Sequence, residues 1–165
     1  MAINKAKKVE ICEQLKTIAK GKGSRVFVNF HGLSVSEATA VRRALRSEGI
    51  GYFVSKKTLA RKVFSESGIA GEFPELSGEL AIAYGEDDVA PAREVKKFQK
   101  TLKEKISILG GVFESRFVGS EEMQMIASIP PREILYGQFV NIINSPIQGL
   151  VIALDSIAKQ KEGVA

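Results

Sequence analysis

Glycines punctuate this chain, and several fall where helical runs stop. Residues 4–20 set Val9, Ile11, Leu15 and Ile18 among lysines at near-helical spacing, and Gly21 and Gly23 end the run. RVFVNF, residues 25–30, alternates with β-branched and aromatic side chains and predicts a strand. Ser34 stands three residues before Glu37, the spacing of a capping box, and opens a helix over about 35–48 that stops at Gly49. IGYFVS (50–55) predicts a second strand, KKTLARKVFSES (56–67) a third helix ending at Gly68, and ELAIAY (79–84) a buried strand. Next comes a helix over 88–105 with Lys96, Lys97, Lys100 and Lys103 on its outer face. ISILGGVF (106–113) is then a strand whose glycine pair predicts a bulge. A short helix over 120–128 leads to Pro130 and Pro131.

Helices alternating with strands in this way predict an α+β fold, a sheet covered by helices in two layers and plait-like, followed by a protruding C-terminal helix. The double proline divides the chain into a globular domain, residues 1–129, and a helical tail, residues 130–165.

The inventory of reactive side chains is thin. One cysteine, Cys12, and one histidine, His31, supply neither a disulfide framework nor a zinc cluster nor a nucleophile with its base and orienter. GKGS (21–24) sits between a helix and a strand, the reverse of the strand-glycine-helix order of phosphate loops, and reads as a helix stop. His31 reads as a turn residue, and Glu86, Asp87 and Asp88 as carboxylates offsetting a helix dipole rather than metal ligands. No catalytic residue, metal or cofactor is expected. The opening MAINKAKKVE lacks the apolar core of a signal peptide, so the expected compartment is the reducing cytosol.

Charge is distributed unevenly. Residues 1–62 hold 14 Lys or Arg against 4 acids, whereas residues 63–165 hold 10 against 15. On the 35–48 helix, Ala38, Val41 and Leu45 form an apolar face and Arg42, Arg43 and Arg46 adjoin it at i, i+3 and i+4 spacing. Lys57 and Arg61 repeat that spacing on the next helix, flanked by Lys56 and Lys62, with Leu59 and Val63 turned to the core. The intervening strand is short enough for both helices to lie on one side of the sheet or at its end. Arginine forks match phosphate oxygens, and the attraction to a polyanion needs no base sequence. Solvated helix faces are the alternative. The near absence of acid, with only Glu48 between the two groups, favours nucleic acid.

From Ile134 to Leu154 no residue is charged, which is long enough to raise a membrane span. Gln138, Asn141, Asn144, Ser145, Pro146, Gln148 and Gly149 interrupt it and argue against lipid. Ile147, Leu150, Val151, Leu154, Ile157 and Ala158 fall in one helical stripe, Ile152 lies nearly opposite, and Phe139, Ile142 and Ile143 continue the apolar surface before Pro146. The stripe could fold back on the domain's sheet or enter a partner's groove.

GLSVSEATAVRRALRSEGIGYFVSKKTLARKVF (32–64) resembles the signature segment of the bacterial ribosomal L-ten family, the base of the large-subunit stalk. The likeness extends to AIAY (81–84), FESRFV (113–118), IASIPPREILYGQF, and PIQGLVIALDSIAKQKE near the end. Lys57 departs from it, standing where members commonly have Asn. The resemblance implies a structural ribosomal protein of the cytoplasm, not an enzyme. Its N-terminal domain would bind 23S ribosomal RNA beside the L-eleven protein, and its C-terminal helix would carry dimers of the acidic L-seven/L-twelve protein, which recruit translational GTPases. Carried over, Arg42, Arg43, Arg46, Lys56, Lys57, Arg61 and Lys62 are the RNA candidates, with Lys5, Lys7 and Lys8 beside them. Phe139, Ile143, Ile147, Leu150, Val151, Leu154 and Ile157 are the candidates for partner binding, and a tail this short suits two dimers. The competing readings are a free RNA-binding regulator with a self-packed tail and a small α/β enzyme.

Overall fold

The computed structural model describes residues 5–21, 23–102 and 105–162. Lys103 and the side chain of Lys5 lie outside the described residues. The chain divides into two compact units, Met1–Ile129 and Pro130–Ala165.

In the first unit, α1 (Lys5–Lys20), β1 (Arg25–Phe30), α2 (Val35–Ser47), β2 (Gly51–Ser55), α3 (Lys57–Glu66), β3 (Leu80–Tyr84), α4 (Ala90–Thr101), β4 (Ile106–Phe113), β5 (Arg116–Gly119) and α5 (Ser120–Ile126) follow in order. The strands form one sheet in the order β2-β3-β1-β4-β5, every neighbouring pair antiparallel. Hence β1-α2-β2 and β3-α4-β4 each cross over a strand to reach a parallel one, the split arrangement of a plait. Two crossovers of the same hand running in opposite senses deposit their helices on the same face. That face carries α2, α4 and α5, packed through Val41, Leu45, Ala92, Val95 and Met123 onto Val26, Val28, Ala81 and Ala83.

The α+β class expected from the sequence is what forms, with one layer more. Odd-numbered β1 residues face the other way, and Phe27, Leu80, Ile82 and Val112 are covered by Leu15 and Ile18 of α1 and Ala60, Val63 and Phe64 of α3. Because α2 and α4 already occupy the first face, the α3 connection between β2 and β3 closes the second.

Local signals materialise where the sequence places them. Ser34 Oγ accepts from the Glu37 amide at 3.2 Å, and Glu37 Oε2 accepts from the Ser34 amide at 2.8 Å, closing the capping box. The register of β1 against β4 shifts between Phe27 and Val28, opposite Gly110 at φ 140, where a Cβ would run into the Val118 carbonyl. The largest shift in boundaries is at α4. The helix expected over 88–105 occupies Ala90–Thr101 among the described residues, and Glu86, Asp87 and Asp88 precede its first turn instead of lying in it. Asp87 Oδ1 accepts from the Val89 amide at 3.4 Å.

In the second unit, α6 runs from Arg132 to Glu162, 31 residues, with Pro146 inside it. At 1.5 Å per residue that is about 46 Å of helix.

Candidate functional site

Amphipathicity fixes which way the basic residues of α2 and α3 point. Val41 and Leu45 are buried under α2, so Arg42, Arg43 and Arg46 are left in solvent. All three border a groove with Thr39, Gly51, Tyr52 and Tyr84. Ala60, Val63 and Phe64 anchor α3, leaving Lys57, Arg61 and Lys62 exposed, with Lys56 at the N-cap. Lys57 and Arg61 border a separate depression with Phe73 and Pro74. The two helices therefore lie on opposite faces of the sheet, not on one side, and the edge strand β2 runs between their basic groups. Lys7 and Lys8 are exposed near the start of α1.

These cations differ from the rest of the chain in what they touch. Lys97 Nζ donates to buried Glu94 Oε1 at 2.7 Å, Arg93 Nε reaches the same oxygen at 3.3 Å, and Lys96 Nζ donates to the Gln124 carbonyl at 2.8 Å. Lys105 Nζ donates to both Glu37 oxygens, at 2.7 and 3.0 Å. That lysine, with the Ser34 cap, holds the Glu37 carboxyl at about 2, below its ordinary 4.5. Among the described residues, none of Arg42, Arg43, Arg46, Lys56, Lys57, Arg61 and Lys62 takes part in an ion pair. Their charge remains available to a polyanion.

Two residues escaped the sequence reading. Tyr52, read only as part of the 50–55 strand, is half-buried, and the Arg42 guanidinium sits 5.9 Å from its ring centroid. Burial raises the Tyr52 hydroxyl above its ordinary range, with Arg42 acting the other way. Arg25 is 5% exposed, its Nε donating to the Ile18 carbonyl at 2.9 Å. The signal was in the alternation: Arg25 shares the inward parity of Phe27.

On α6 the stripe is longer than the run after Pro146 suggests. Tyr136, Phe139, Val140, Ile143, Ile147, Leu150, Val151, Leu154, Ile157 and Ala158 keep i, i+3 and i+4 spacing across the proline. Every one is exposed; Phe139 and Ile147 are each 63% accessible. Ile142 and Ile152 lie off this stripe, also exposed. By length and composition alone α6 could cross a membrane.

Residues 3–100 match the family model for ribosomal protein L10. The large ribosomal subunit protein uL10 of Pelotomaculum thermopropionicum is 34% identical across all of both chains. Those of Shouchella clausii and Staphylococcus carnosus are 34% and 32% identical over 94% of this chain and 93% of their own. The chain is thus a structural protein of the large ribosomal subunit, with no enzymatic role, and its place is the ribosome in the cytoplasm. It belongs to the ribosomal protein L10 family.

Proposed function

We propose that this protein is the base of the large-subunit stalk, with a globular unit that binds 23S ribosomal RNA next to L-eleven and a helix that carries two acidic L-seven/L-twelve dimers. Those dimers in turn recruit translational GTPases. The observation that carries the reading is the pairing of two unsatisfied surfaces in one chain: basic groups flanking β2 with no carboxylate partners among the described residues, and an apolar stripe on α6. A stripe of this size on a soluble protein marks an interaction surface. Burying Phe139, Ile143, Ile147, Leu150, Val151, Leu154 and Ile157 is worth on the order of 10 kcal/mol gross, before ordering and association costs.

A protein groove suits α6 better than lipid. Pro146 has no N–H to offer the Ile142 carbonyl, and Gln138, Asn141, Asn144 and Gln148 would each need a partner inside hydrocarbon. The test is stoichiometry. The intact chain should capture four copies of the acidic stalk protein, as two dimers, and removal of residues 146–165 should lower that number while the remaining chain still folds. Unchanged capture after truncation, or no capture by the intact chain, removes the stalk reading.

A further inference from the structure

A cleft of about 1130 Å³ opens beside the arginine groove, walled by Gln14, Arg25, Phe53, Tyr84 and Glu86 and floored at Gly21. The cleft and the groove of Arg42, Arg43 and Arg46 share Gly49, Phe53 and Tyr84, so they are continuous. Tyr84 lies flat across Gly51, where a Cβ would strike its ring, so Gly51 leaves room for the aromatic wall.

Arg25 defines what the cleft asks for. Arg25 as a residue is 5% exposed, and of its five N–H donors only Nε has a hydrogen-bond partner among the described residues, which leaves the terminal nitrogens to the cleft that Arg25 lines. A planar guanidinium with its terminal N–H groups uncommitted can fork to two adjacent acceptors of an occupant. A free anion is a poor answer. The Ile18 carbonyl at the end of α1 brings the negative pole of that helix to Arg25, Asp88 adds its field, and Glu86 lines the same space. The occupant must therefore accept hydrogen bonds on the Arg25 side, donate on the Glu86 side, and present flat faces to Tyr84 and Phe53.

Among the four RNA bases, guanine alone carries two adjacent acceptors, O6 and N7, on one edge and two adjacent donors, N1–H and N2–H, on the next. Unstacked bases of RNA loops are taken up in this manner, stacked on aromatic rings and bonded along their edges. We infer that the Arg25 cleft receives one unpaired guanine of the bound RNA, while Arg42, Arg43 and Arg46 hold phosphates in the adjoining groove. This rests on the RNA-binding reading above. In it Arg25 forks to O6 and N7, Glu86 accepts from N1 and N2, and Gln14 supplies a further polar contact at the rim.

The test uses the full isotope-labelled chain titrated with 5′-GMP, 5′-AMP, 5′-UMP, 5′-CMP and inorganic phosphate, read by amide shifts at Thr17, Gly21 and Gly85. GMP should move these amides at concentrations roughly tenfold below the other nucleotides, and phosphate should not move them. Arg25→Lys keeps the charge but loses the fork, and should abolish the preference. Glu86→Gln, at an exposed position, should lower it severalfold and decides the matter if the Arg25 variant fails to fold. Equal response to all four nucleotides, a response to phosphate alone, or a preference undiminished in E86Q overturns the inference. A parallel filter-binding titration with 23S RNA separates the two readings. Wild-type binding that is undiminished in E86Q, with no GMP response, discards the guanine cleft and leaves RNA binding intact; no wild-type binding removes the RNA reading itself.

Discussion

Helices α2 and α4 cover the same face of one sheet, and both are rich in cations, yet they spend them differently. On α4, Arg93 and Lys97 converge on Glu94, and Lys96 is tied to the Gln124 carbonyl. On α2, Arg42, Arg43 and Arg46 face solvent with no ion-pair partner among the described residues, and Arg42 lies over Tyr52. A positive charge already matched by a carboxylate adds little to a polyanion's binding, because neutralisation and counterion release require an unmatched cation. Net charge along the sequence therefore says less than which charges remain unpaired once the chain has folded.

The sharpest break of that comparison is a swap of losses. Replacing Arg42, Arg43 and Arg46 together with Ala should weaken binding to 23S RNA about a hundredfold near 0.1 M salt and remove about two to three from the slope of log affinity against log salt. Replacing the carboxylate-paired Arg93 and Lys97 of α4 with Ala should change affinity by no more than about twofold; equal losses from the two helices would erase the distinction. Glu94→Ala inverts the logic. It strands Arg93 and Lys97, and should cost about 1–3 kcal/mol in urea unfolding while RNA affinity does not fall.

A smaller effect separates Glu37 from the unpaired cations. Its carboxyl titrates at about 2 in the fold against an ordinary 4.5, so the folded state binds the proton more weakly than the unfolded chain does. The stabilisation it provides is complete above pH 4.5 and is lost as pH falls toward 2. Glu37→Gln should flatten the acid limb of an unfolding titration in that window and leave stability above it only modestly lowered. An acid limb of unchanged shape would show that the Lys105 and Ser34 contacts do not set it.

Local rules carried the reading of the fold a long way. The Ser34–Glu37 box, the bulge at Leu109 and Gly110 and the periodicity of α2 and α3 each depend on neighbours within a few residues, and each stands where spacing put it. Glu114 and Ser115, both at positive φ, close β4 onto β5 as a two-residue hairpin, although neither is the glycine that such turns favour. What spacing could not settle was which face each helix takes. Placing α2 and α3 apart follows from the strand order, which brings β3 between β1 and β2 and is fixed only by tertiary pairing. Arg25 was visible as a charge at an inward parity, but its acceptor, the Ile18 carbonyl, comes from a turn that no pattern in RVFVNF describes. On α6, the residues before and after Pro146 were identified separately, and only a helix continuous through the proline joins them into one stripe.

That continuity gives α6 a geometry of its own kind. Each residue advances the stripe by about 100°, so inserting or deleting one residue between Ile143 and Ile147 turns everything downstream a quarter of a circle or more out of line. Seven residues make almost two whole turns and return the surface to within about 20°. Whatever covers the stripe, the helix can lengthen in steps of seven or eleven and keep one face, which makes it a ruler graduated in turns rather than in residues.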